Sequence, residues 1–169
     1  MIKVWFDTFT KNKAMETGLT HLHNLLRYAI VILLIVTILK SFIGWFSKKE
    51  YTAGDNKFSL FLFISAHLQL VIGLVLYFIS DIVAAYSNLG MAEIMKDAVA
   101  RFWVVEHMTS MILGIIIITL GRIMAKKATT DNAKFRRQAI YFTLAMVIIF
   151  SAIPWPEPMK AAGIARPWF

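Results

Sequence analysis

The sequence predicts an all-α integral membrane protein, an antiparallel bundle of four transmembrane helices with both termini on the outer side. Three observations carry that fold class. Of the 169 residues, 59% are hydrophobic and only 17% charged, where a soluble domain carries about a quarter charged residues. Four apolar runs divide the chain. The basic residues crowd into alternate loops between those runs.

About 20 apolar residues cross the hydrocarbon core of a bilayer. The first span is expected at about 22–46, interrupted by Arg27 and Lys40. The second, 58–80, is free of Asp, Glu, Lys and Arg. The third, 102–122, holds Glu106 before its terminal Arg122. The fourth, 138–153, is short and stops at Pro154-Trp155-Pro156. The chain divides into a surface segment 1–18, the membrane domain 19–156 and an outer tail 157–169. Residues 1–18 lack the apolar core of a cleavable signal. Val4, Trp5, Phe6 and Phe9 suit the membrane surface, and 91–100 reads as a second surface helix leading into the third span. Trp5, Trp103, Trp155 and Trp168 read as interfacial belt residues.

Orientation follows from charge. Lys40, Lys48, Lys49 and Lys57 surround the first loop, and Arg122, Lys126, Lys127, Lys134, Arg136 and Arg137 surround the third. Together they are ten of the 18 basic residues, beside three of the ten acidic ones. That side is cytoplasmic by the excess of Lys and Arg, which puts both termini outside, in the periplasm of a Gram-negative cell. The net charge of +8 therefore reports topology. The basic tracts lie between apolar runs, with no basic face set apart, which argues against nucleic acid as a partner. The chain contains no cysteine, so disulfides, thiolate metal sites and covalent haem attachment are excluded.

Ionisable groups inside a span are costly and mark function or packing. All four histidines fall in or beside spans: His21 and His23 on the first, His67 on the second, His107 on the third. Arg27 shares a helical face with His23, four residues away. Glu106, His107, Ser110 and Gly114 fall within about 100° of arc on the third helix, while His67 stands opposite Gln69 on the second. Arg27 and Glu106 are candidates for an ion pair between the first and third helices.

A b-type haem in a helical bundle needs imidazoles from two helices, small residues for close approach, enclosing aromatics and cations for its propionates. The candidate ligands are two of His23, His67 and His107. His67 with His107 is the preferred pair if their depths match, and His23 with His107 the alternative. His21, Arg27, Arg101, Gln69, Glu106 and Gly114 are supporting candidates, Glu106 as hydrogen-bond partner of a ligating histidine, and Gly73 and Gly114 would supply space. Two other readings stand beside this one. The polar groups can be interhelical glue in a cofactor-free subunit of a larger membrane complex. Alternatively, the His and Glu residues can form a transition-metal site, although no two histidines stand four apart on one helix.

These motifs occur in a characteristic order: His21-Leu22-His23 with Leu26-Arg27-Tyr28, His67-Leu68-Gln69 with Gly73-Leu74, Arg101-Phe102-Trp103 with Glu106-His107, and Ile153-Pro154-Trp155-Pro156. The order resembles a family of small four-helix membrane proteins of Bacteroidota-type bacteria that go by the name cytochrome b. The resemblance covers about 15–156. Tyr28 stands where that family often has tryptophan. The likeness implies haem b in the bacterial inner membrane. The function expected from it is electron transfer beside quinones or a respiratory complex, as a carrier or subunit rather than a stand-alone enzyme.

Overall fold

The computed structural model describes residues 13–156, 160, 163 and 164. Val4, Trp5, Phe6, Phe9, Trp168 and most of the expected outer tail lie outside the described residues. Helix α1 spans Lys13–Phe46, α2 Ala53–Ile79, α3 Asp81–Ala84, α4 Met91–Ile94 and α5 Ala98–Arg101. A π-helical turn, Phe102–Glu106, leads into α6, His107–Lys126, and α7 spans Asp131–Ser151. Every regular element among the described residues is helical. A chain in lipid must satisfy its backbone groups internally, and helices do so.

Three segments are long and apolar enough to cross a membrane: Lys13–Phe46, Ala53–Ile79 and Ala98–Lys126. At 1.5 Å per residue, each exceeds the roughly 30 Å hydrocarbon core. Helix α7 has 21 residues, but Lys134, Arg136 and Arg137 fill its second turn, so its apolar stretch begins near Gln138. The exposed faces are apolar at helical spacing: Ile32 and Leu39 on α1, Phe61, Ile64 and Leu68 on α2, Ile116 and Leu120 on α6. Such faces belong against lipid. The chain is therefore a multi-pass membrane protein by length and composition.

Local signals set the helix ends. Lys48, with φ 49°, takes the left-handed conformation that closes α1, and the Lys49 N–H then reaches back to the Gly44 carbonyl at 3.0 Å. Thr130 caps α7 by accepting from the Ala133 N–H. The expected surface helix over 91–100 is broken into α4 and α5, because Asp97 adopts an extended conformation and caps the Val99 and Ala100 N–H groups.

The described residues form two compact units. The first comprises 13–25, 71–109 and the described residues from 153 onward. The second comprises 26–70 and 110–152. Within the second unit helices approach through glycine. A Cβ on Gly44 would stand 2.5 Å from the Phe135 ring, and one on Gly121 would stand 2.6 Å from Tyr141 Cβ. Close backbone approach of this kind drives helix association where lipid removes the hydrophobic incentive. Ser41 donates to Gln138 Oε1 at 3.3 Å, near the Gly44–Phe135 contact. Gln138 in turn donates to the Tyr51 hydroxyl at 2.8 Å.

Candidate functional site

In the first unit, α1, α2 and the entry to α6 bring five residues together. His23 and His107 meet edge to face, with ring centroids 6.5 Å apart and planes inclined by 60°. Gly73 of α2 makes this possible. A Cβ there would lie 3.1 Å from His23 Cε1, so the imidazole occupies the space that a side chain would fill. His107 carries Phe102 at 5.8 Å and Trp103 at 5.7 Å. Trp103 is half-buried, with its ring against this histidine.

The approach to His107 is not α-helical. Across Phe102–Glu106 the His107 N–H bonds the Phe102 carbonyl, five residues back. Tyr77 of α2 donates to the Val104 carbonyl inside this turn at 3.1 Å. Arg101 Nε bonds Glu106 Oε1 at 2.7 Å across it. Arg101 Nη1 also donates to the Met95 carbonyl at 3.1 Å. Glu106 thus takes Arg101 as its ion-pair partner. It was expected to pair with Arg27 or to orient a ligating histidine.

The donor set limits the chemistry. Metal–nitrogen bonds of about 2 Å place two imidazoles across one metal with centroids roughly 6 Å apart, close to the observed separation. No group of three or more His, Cys, Asp or Glu side chains suited to a metal occurs among the described residues. A structural zinc site takes four protein ligands and a catalytic one three, whereas haem iron already has four nitrogens and needs two axial ligands. The pair supplies two imidazole donors from two helices, with Gly73 giving His23 its place.

The remaining candidates lie elsewhere. His21 is exposed on α1. His67 belongs to the second unit. Its Nδ1 donates to the Phe63 carbonyl at 2.8 Å, and its ring packs on Phe63 with centroids 4.1 Å apart. Its Nε2 lies 3.5 Å from Thr119 Oγ1 on α6. Arg27 is buried and donates to the Tyr28 hydroxyl at 2.9 Å, with its guanidinium over the Tyr28 ring. Gln69 is half-buried on α2. Gly114, expected to leave room for a cofactor, admits α7: a Cβ there would stand 2.6 Å from Ile149 Cγ1.

Sequence reasoning missed two groups of residues. One is Tyr77 and the π-turn, for which the only signal was the five-residue spacing of Arg101 and Glu106, in phase with no α-helix. The other is a polar network in the second unit. Arg122 donates to Ser59 Oγ at 2.6 Å and to the Asn56 carbonyl at 3.3 Å. Lys40 pairs with Asp55 at 3.0 Å, and Asp55 accepts from Thr52. Burial pushes the Tyr51 phenol above its ordinary value, so it stays protonated at neutral pH. Three isolated polar residues in apolar stretches, Ser41, Ser59 and Gln138, were the available sign.

No family model, curated protein or solved structure matches the chain.

Proposed function

We propose that the chain is a b-type haem protein of the bacterial inner membrane, with His23 and His107 as axial ligands. The observation that carries this reading is the pair of imidazoles from two helices at 6.5 Å, with His23 seated against Gly73. Neutral imidazoles on two helices are the donors a b-type haem takes. Once bound, haem supplies reversible one-electron transfer. The protein's own part is to fix the two rings and exclude water with Phe102 and Trp103. That activity fits an electron carrier or subunit working beside quinones or a respiratory complex.

The same reading takes the fold to be an antiparallel bundle of four membrane-crossing helices. Helix α7 supports it by exposing Ile140, Leu144 and Val147 at helical spacing. Gly114 opposite Ile149, and Gly121 opposite Tyr141, support an antiparallel course for α6 and α7. The basic loops around Lys48–Lys57 and Arg122–Arg137 then face the cytoplasm, and both termini face outward.

A second reading, a cofactor-free accessory subunit of a larger membrane complex, draws on the second unit, where glycine contacts and hydrogen bonds give the polar groups a packing role. A reduced-minus-oxidised absorption spectrum separates the two. The protein is purified in lipid after expression with haem supplied. The first reading expects a b-type α-band that disappears in His23→Ala and in His107→Ala. Folded protein with a flat spectrum would leave the second reading standing.

A further inference from the structure

We propose that the Arg101–Glu106 ion pair and the Tyr77 hydroxyl form a positioning device: they hold the π-turn, and the turn fixes His107 against His23. The proposal rests on the His23–His107 site, and it adds Arg101, Glu106 and Tyr77 to that site.

The geometry of helices supplies the reason. In an α-helix, residues five apart stand about 140° apart, at 100° each, on different faces. In a turn closed by i→i+5 bonds they stand one above the other. Two such pairs meet here. Arg101 reaches Glu106 at 2.7 Å, and Phe102 packs on His107 at 5.8 Å. A regular α-helix would turn each pair onto different faces. The π-turn therefore lets two aromatic residues, Phe102 and Trp103, flank one histidine.

A π-turn is rare and needs support. Its backbone geometry strains the regular ladder, and the Val104 carbonyl accepts from Tyr77 Oη at 3.1 Å. This bond comes from a different helix, α2. Tyr77 stands one helical turn beyond Gly73 on that helix, so one face of α2 serves both histidines. Gly73 makes room for His23, and Tyr77 pins the turn that presents His107. The Arg101 side chain closes the device from outside the turn, bonding both Glu106 and the Met95 carbonyl.

The test reads His107 directly. The full chain is placed in lipid nanodiscs with isotope-labelled histidine, and proton contacts between the His23 and His107 rings are recorded by NMR without added haem. The proposal expects that contact in the native protein. It expects loss of the contact, and of the ring-current shifts on His107, in Glu106→Gln, and a weaker version of the same change in Tyr77→Phe. The double exchange Arg101→Glu with Glu106→Arg should restore both signals, which a general loss of fold would not allow. Retained contact in Glu106→Gln overturns the device, and so does failure of the charge exchange to rescue a helical, folded protein. The outcomes are separable from those of the haem reading. If the contact behaves as expected while the difference spectrum is flat, the positioning device stands and the cofactor assignment falls.

Discussion

The two units of this protein use the same residue types for different ends. In the second unit, polar side chains and glycines build packing. Gln138 donates to Tyr51 and accepts from Ser41, Arg122 bonds Ser59, and Gly44 and Gly121 admit aromatic rings of α7. In the first unit, a glycine admits a histidine, and that histidine meets another. Glycine beside an aromatic ring is a helix contact, whereas Gly73 beside an imidazole near a second imidazole is the arrangement on which the proposed haem site rests. His67 shows the contrast within one residue type. Its Nδ1 is anchored to its own helix and its ring lies on Phe63, so it acts in the second unit as a packing histidine.

Substitutions can break this contrast, and the largest effect is expected at the imidazoles. His23→Ala and His107→Ala should each abolish the haem spectrum while leaving the melting temperature within a few degrees of native, measured by scanning calorimetry in lipid. Next comes Gly121→Leu. Overpacking of a filled interface costs about 1–3 kcal/mol, occasionally more, and the added side chain would meet Tyr141 and Phe142. Resistance to denaturing detergent should fall sharply, with the His23–His107 proximity less affected than the α6–α7 contact. Gln138→Leu should cost about 1–2 kcal/mol of stability, the scale of an interhelical hydrogen bond in a membrane, because it strips Tyr51 and Ser41 of a shared partner. Chemical unfolding from mixed micelles measures that loss. The smallest effect is expected for His67→Gln: less than about 1 kcal/mol in the same unfolding experiment, given the weak side-chain coupling of such pairs, and an unchanged haem spectrum.

The helices were legible because hydrophobic run length dominates in lipid. The spans near 22–46 and 102–122 lie inside α1 and the Ala98–Lys126 segment, and that near 58–80 overruns α2 by one residue, Ser80, which caps α3. The structure adds helical turns beyond the apolar limits, as at Lys13, because a helix does not stop where the hydrocarbon does. Helix α7 was harder to read, since Lys134, Arg136 and Arg137 lie within its first two turns. At the site, His23, His107 and Gly73 were legible as types and spacings. Their meeting was not, because the azimuth of His107 depends on a π-turn, and a constant 100° per residue cannot register one. The partner of Glu106 was hidden for the same reason: five residues is the wrong spacing for an α-helix and the right one for this turn. Gly114 read as space for a cofactor because sequence shows a missing side chain but not what fills the gap, here Ile149.

The central claim is that His23 and His107, rather than His67, form the chemical site. Its most direct test is the reduced-minus-oxidised spectrum of the native protein and the three single variants His23→Ala, His107→Ala and His67→Ala, each purified in lipid with haem supplied. Ligation by this pair predicts a b-type α-band in the native protein and in His67→Ala, and its loss in the other two. A band that vanishes with His67→Ala, or that survives the loss of either His23 or His107, would contradict it.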